Sequence, residues 1–384
     1  MAASATAPIQ DSRPDGAAGA RVSSRVPELD GVRGLAILLV ITLHYVSEIA
    51  HFRLSYLVRL SWSGVDLFFV LSGFLIGGIL LDAKESPRYF QTFYLRRLYR
   101  ILPLYLLFIA IFVAGTYRVG SDSPPALREI FNRDIPLWSF PLFLQNFFFV
   151  LRHTYGSTWM ATSWSLAVEE QFYLLLPFLI RRLSTRHLTR FLVGAVVFAP
   201  VLRIVLQQFG DYGLACYTML PCRADSLGCG VLIALAARDR TVWQWLCTHR
   251  RYIYTCFLIF SVGAALWTVR DFWLMAQIGY SWMAGLYASL LLLVLAKPSR
   301  IEQFVFRNWV LVKLGTVAYA VYLFHAGILR LYHCWWFGAL PSVHNLATLG
   351  VTALALVTVL ILAGASWRAL ESPLLQYARR RYRY

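Results

Sequence analysis

Charged residues are scarce in this chain. Of its 384 residues only 14% are Asp, Glu, Lys or Arg, 59% are hydrophobic, and the mean hydropathy is +0.58. A soluble domain is about half apolar and about a quarter charged. The deficit excludes a soluble globular protein and puts most of the chain in a bilayer. Acidic residues are scarcer than basic ones, 19 against 36, for a net charge of +17. That balance can mark a nucleic-acid binder, but the placement of the charge, described below, explains it without nucleic acid. The six cysteines form no CxxC and no Cys/His metal spacing, so no metal site is read. Cys216 and Cys222 flank one short loop and are placed either to pair in an oxidising compartment or to sit as buried thiols. Residues 1–27 lack an apolar run, so they read as a disordered cytoplasmic tail and not as a cleavable signal peptide. No internal repeat and no second globular domain is evident.

What is present is a series of long apolar segments. A spanning helix needs about 20 such residues. Candidates are 32–50, 62–81, 98–117, 161–180, 190–208, 223–237, 251–269, 275–296, 313–332 and 346–367. The stretch 136–151 is apolar but short and broken by proline, and reads as interfacial or re-entrant. Ten spans put both termini on one side. With that side cytoplasmic, the cytoplasmic segments hold about 26 of the 36 Lys and Arg residues, as the positive-inside rule requires. The opposite face keeps chiefly Arg53, Arg59, Arg118, Arg128, Arg133 and Arg152. An eleventh span at 136–151 would invert the later loops and spoil the bias. The expected fold is all-α and polytopic, with about ten transmembrane helices. Residues 28–374 form the membrane domain and 375–384 a basic cytoplasmic tail. The 13 Trp and 21 Tyr suit interfacial belts.

Ionisable residues inside a bilayer are costly and are functional candidates by default. His44 lies twelve residues past Val32, about 18 Å into the first span at 1.5 Å per residue. Glu169 and Glu170 fall about half-way down the fourth. Asp66 enters the second, and Arg223 and Asp225 open the sixth. Tyr319, Tyr322 and His325 share one face of the ninth. Each has a plainer reading as inter-helix hydrogen bonding, capping or packing. Together, a histidine and a carboxylate at similar depth imply a polar cavity.

The stretch FYLRRLYRILPLYLL (93–107) adds Arg96, Arg97 and Arg100 at the mouth of the third span. Arg97 and Arg100 are three apart, hence on one helical face, while Arg96 points elsewhere. Paired guanidiniums bind phosphates through bidentate charge-assisted bonds; anchoring of topology is the alternative. A phosphate site at the cytoplasmic mouth and a histidine deeper in fit a donor with an anionic head and a long arm. Coenzyme A has that shape. The chemistry inferred is acyl transfer, with histidine as general base on an acceptor hydroxyl.

Seven motifs then occur in order: ELDGVRGLAILLVITLHY (28–45), GVDLFFVLSGFLI (64–76), FYLRRLYRILPLY (93–105), TSWSLAVEEQFYLLLP (162–177), CRADSLGCGVLIAL (222–235), LGTVAYAVYLFHAGI (314–328) and LESPL (370–374). On these the chain resembles the acyltransferase 3 family of multi-pass membrane O-acyltransferases, over residues 28–374. The resemblance implies acyl-CoA, usually acetyl-CoA, as donor substrate and no tightly bound cofactor. It implies His44 as the key histidine, Arg97 and Arg100 as the arginine pair, and Glu169 as the helix glutamate beside Glu170. Arg33, Asp66, Arg223, Asp225, Tyr319, Tyr322 and His325 stand as supporting residues. The chain departs at Ala318, where a serine is common, and at LESP, where a bulkier or basic residue often precedes the proline. Some members carry a further hydrolase-like domain; without it, transfer is expected to finish within the membrane domain.

Glu169 is expected to orient His44, and direct attack and a transient acyl-histidine both remain open. The expected acceptor is a surface or exported glycan, or its lipid-linked precursor, at the plasma (inner) membrane. A small macrolide-type acceptor is the second enzyme reading. A proton-coupled transporter or flippase is the rival from another class; transporters often show inverted repeats, which are absent from this sequence. The aromatic loop 118–160 suits either sugar stacking or interfacial anchoring.

Overall fold

A computed structural model describes residues 26–46, 58, 60–210, 212–267 and 274–384. Residues 1–25 of the expected tail 1–27, and Arg53 and Arg59, lie outside the described residues. The long helices are α1 (Pro27–Ile41), α2 (Gly64–Asp82), α3 (Tyr89–Arg118), α4 (Trp164–Arg182), α5 (Thr185–Gln208), α6 (Leu220–Ala236), α7 (Arg250–Trp267), α8 (Tyr280–Leu295), α9 (Trp309–Phe337) and α10 (Leu346–Ser366), followed by α11 (Ser372–Arg381). No β-strand occurs among the described residues.

Eight segments are long and apolar enough to cross a membrane; they contain α1, α2, α3, α5, α6, α8, α9 and α10. The protein is therefore a multi-pass helical membrane protein. The other two expected spans coincide with α4 and α7. Glu169, Glu170, Arg181 and Arg182 reduce the apolar character of α4, and α7 opens on Arg250 and Arg251. The stretch 136–151 makes a short 3-10 turn (Leu137–Ser139) and the helix Gln145–Arg152. Eight residues rise only about 12 Å, too little to span. Buried Gln145 and Asn146 hold this stretch in place: Gln145 Nε2 donates to the Ser163 carbonyl at 3.0 Å and Asn146 Nδ2 to that of Thr218 at 3.1 Å.

Small residues set the helix crossings that matter for the site. A Cβ on Gly34 would lie 1.9 Å from the Leu311 carbonyl oxygen, and one on Gly315 would lie 1.9 Å from that of Asp30. The backbones of α1 and α9 therefore touch there, as small residues in membrane helices allow. Both helices run in the same direction from this contact. His44 is ten residues beyond Gly34 and His325 ten beyond Gly315. Equal rise carries both about 15 Å onward, which brings the two histidines level. Gly73 of α2 and Gly230 of α6 make a second crossing of the same kind, against the Leu227 and Val70 carbonyls.

The segment expected as a basic tail, 375–384, is largely helical. A π turn (Trp367–Glu371) carries the chain from α10 into α11, which lies along the start of α3. Arg96 Nε donates to the Tyr382 carbonyl at 2.8 Å and Thr92 Oγ1 to that of Arg383 at 3.1 Å. Cys216 and Cys222 are buried and unbridged.

Candidate active site

Two adjoining cavities open at the end of the bundle where α1, α3 and α9 begin. The outer one, about 390 Å³, is lined by Arg96, Arg97, Arg100, Arg379, Asp82 and Tyr384, among others. The inner one, about 280 Å³, is lined by Arg33, Arg97, Arg100, Ser72, Glu169, Tyr173, Ser165, Tyr319 and Tyr322. Arg97, Arg100, Leu375 and Arg379 belong to both, so the two are chambers of one path. Arg97 and Arg100 share the cavity as their spacing predicts. Arg96 joins the outer chamber, with its guanidinium 5.1 Å from the Tyr384 ring. Unlike the pair, it does not line the inner chamber, and it is engaged by the Tyr382 carbonyl.

The polar wall of the inner chamber is a short relay. Ser72 Oγ donates to Glu169 Oε1 at 2.7 Å and lies 2.8 Å from the Tyr173 hydroxyl. One serine hydrogen directed at the carboxylate leaves Tyr173 to donate to Ser72. Arg33 pairs with Asp30 at 2.8 Å. Tyr319 donates to the Ile101 carbonyl at 2.9 Å. Tyr322 donates to the Thr162 carbonyl at 3.0 Å and lies 2.5 Å from Ser165 Oγ. Phe68 meets Tyr322 edge to face, with centroids 6.1 Å apart, and the two rings stand at the inner end of the path.

His44 and His325 lie past that end. Neither lines the chamber, and the Tyr322 ring centroid is 5.8 Å from that of His325. Their rings pack edge to face at 4.7 Å. His325 Nδ1 is 2.7 Å from the Tyr322 carbonyl and 3.1 Å from that of Val321. Carbonyls only accept, so the network assigns the His325 proton to Nδ1 and its lone pair to Nε2. His44 Nδ1 sits 2.9 Å from the Val40 carbonyl and 3.3 Å from His325 Nε2. Both are acceptors, so His44 also carries its proton on Nδ1, which leaves a lone pair on Nε2. Tyr45 donates to the His325 carbonyl at 2.9 Å and ties the two helices together. A π turn, Thr42–Val46, presents His44; such turns recur at functional positions.

Two expectations change. Helix α1 starts at Pro27, five residues before the assumed Val32, so His44 stands about 26 Å from the helix start and not about 18 Å. The partner of His44 is His325; among the described residues no hydrogen bond joins His44 to Glu169. The α1–α9 crossing selects the first contact, while the carboxylate of α4 faces α2.

Asp66, Arg223 and Asp225 form a separate cluster that lines neither chamber. Arg223 pairs with Asp66, and its guanidinium lies 4.2 Å from the Tyr280 ring. Asp225 pairs with Arg203 at 3.0 Å and accepts from Ser281 at 2.6 Å. Arg203 also donates to the Gln277 carbonyl at 3.0 Å and to the carbonyl of Cys222. All four charged residues are fully buried. Arg203 was not among the expected residues, although an arginine inside the apolar run FAPVLRIVL is a visible signal. Ser72 and Tyr173 carry no such signal. Glu170 has a buried Oε1 without a hydrogen-bond partner and does not line the chambers. In the aromatic loop, Trp159 and Phe149 are core residues. Trp159 stacks on Phe108 at 5.3 Å in the space left by Gly327. Trp138 and Phe147 remain exposed. Among the described residues no cluster of His, Cys, Asp and Glu suits a metal ion.

Comparison with known proteins agrees with this architecture. The peptidoglycan O-acetyltransferase OatA of Listeria monocytogenes is 26% identical over 332 residues, covering 80% of this chain and 50% of OatA. A Staphylococcus aureus protein provisionally named an O-acetyltransferase is 25% identical over 371 residues, covering 91% of this chain and 57% of that protein. YrhL of Bacillus subtilis, provisionally named a peptidoglycan O-acetyltransferase, is 31% identical over 230 residues, covering 55% and 33%. The chain thus spans about half the length, or less, of these relatives. No solved structure matches significantly. A family model described as an acyltransferase domain matches residues 26–367, nearly all of the membrane bundle that holds both chambers and the histidine pair, and the chain belongs to that acyltransferase 3 family.

Proposed function

We propose that the protein is an integral-membrane O-acetyltransferase that moves an acetyl group from acetyl-CoA to a hydroxyl of a cell-wall or other exported glycan. The observation that carries this reading is the path from an arginine-lined mouth to the edge of the His44–His325 pair. The names of the relatives support acetyl and peptidoglycan. The charge bias supports ten spans in the plasma membrane, with the arginine mouth on the cytoplasmic side.

In this mechanism Arg97 and Arg100 hold the donor phosphates, and the arm lies along the wall made by Ser72, Glu169 and Tyr173. The thioester reaches Tyr322 and Ser165. The acceptor enters from the opposite face, to which His44 is closer. His44 Nε2 takes the proton of the acceptor hydroxyl as its oxygen attacks the thioester carbonyl. The C–S bond breaks, and the proton passes from His44 to the departing thiolate. His325 holds the His44 tautomer that makes this possible. Phe68 and Tyr322 must part for the carbonyl to meet His44.

The test is mass spectrometry of cell-wall glycan from cells with the wild-type gene, without it, and with His44→Ala. An acetyl mass lost in both defective strains is expected. Full acetylation by the His44→Ala protein sinks the catalytic assignment.

A further inference from the structure

We propose that α11 is part of the donor site and that Arg379 binds the nucleotide phosphates of the donor together with Arg97 and Arg100. The inference rests on the donor reading above and adds to it a residue from the segment that sequence alone assigns to a tail.

Arg379 lines both chambers, a position it shares with Arg97 and Arg100. None of the three has a carboxylate within ion-pair distance among the described residues. The acids nearby are already engaged. Asp82 is held by Arg238 through two bonds of 2.8 and 2.7 Å, Glu371 accepts from Ser366 at 2.9 Å, and Glu169 accepts from Ser72. Three guanidiniums converge on one space, none of them paired with the Asp82, Glu169 or Glu371 of its lining, and a polyanion would relieve their mutual repulsion. The position of Arg379 is held by the structure. Besides the two bonds to the Tyr382 and Arg383 carbonyls, Tyr99 packs on Tyr377 and Tyr382 with centroids 5.6 and 5.9 Å apart. Arg380, the next residue, lines neither chamber. Two sources of phosphate fit this chemistry, the nucleotide end of acetyl-CoA and an anionic lipid headgroup. Continuity with the inner chamber favours the nucleotide.

The experiment is equilibrium binding of labelled coenzyme A to the full chain in phosphatidylcholine nanodiscs. Arg379→Ala should weaken binding about tenfold, the scale of one hydrogen bond to a charged group. Competition by adenosine 3′,5′-bisphosphate should weaken equally, competition by pantetheine should not change, and Arg380→Ala should bind as wild type. Unchanged coenzyme A binding by Arg379→Ala, or an equal loss of pantetheine competition, overturns the role of Arg379. So does normal coenzyme A binding with loss of stabilisation by added phosphatidylglycerol, which assigns the arginine to lipid. If Arg97→Ala weakens coenzyme A binding and Arg379→Ala does not, only this inference fails. A wild-type protein that does not bind coenzyme A removes the donor reading itself.

Discussion

Two groups of arginine in this molecule have opposite surroundings. Arg203 and Arg223 are fully buried, and each faces an aspartate of another helix. Arg97, Arg100 and Arg379 face an open path and have no carboxylate partner among the described residues. In the first arrangement charge is matched within the fold, and the cluster joins α2, α5, α6 and α8. The second leaves three guanidiniums unpaired on a path they share with Asp82, Glu169 and Glu371. A buried charge stripped of its partner is strongly destabilising, whereas a cavity charge without one is poised for a ligand. The same residue type is thus structural in one region and available for binding in the other, and the pairing distinguishes them.

The largest break in that comparison should come from the paired group. Asp66→Ala leaves Arg223 buried and alone, and should cost about 3–5 kcal/mol. Thermal unfolding in detergent would show it as a sharply lower midpoint and a poor folded yield. A midpoint equal to wild type would mean that the cluster is not a structural clamp. Loss of the proposed base comes next. His44→Ala should lower transfer by about 10²- to 10⁴-fold with the unfolding midpoint unchanged, which separates chemistry from stability. On the unpaired side, Arg97→Ala should raise the KM for acetyl-CoA about tenfold with little change in kcat. It should leave the unfolding midpoint equal or higher, since one repelling charge is gone. A lowered midpoint with unchanged KM would move Arg97 into the structural group. The smallest effect belongs to Arg96, which touches both the outer chamber and the last turn of the chain. Its bond to the Tyr382 carbonyl and its contact with the Tyr384 ring are partly exposed, so Arg96→Ala should raise KM by only about two- to fivefold.

Much of the architecture is legible in the sequence because a bilayer imposes a simple rule. Backbone groups must be paired within each segment, so hydropathy alone outlines the helices, and each of the ten expected spans meets a long helix. The proline-broken stretch at 136–151 is legible as too short to cross. The arginine spacing is legible because 3.6 residues per turn puts Arg97 and Arg100 on one face. Helix starts are less so: α1 begins at Pro27 because proline is suited to the first helical position, and this lengthens the rise from the helix start to His44. The side-chain pairings are least legible. His44 meets a residue 281 positions away, and Glu169 a serine 97 positions away.

By itself, then, the sequence determined a basic, multi-pass helical protein, the family motifs, and which polar residues stand inside apolar segments. These follow from local composition and helical period. Only the tertiary structure decided that His325 and not Glu169 touches His44, that Arg203 completes the aspartate cluster, and that α11 walls the arginine path. Those outcomes depend on which helices cross and how closely. The crossings are set by small residues such as Gly34, Gly315, Gly73 and Gly230, whose partners lie far away in the chain.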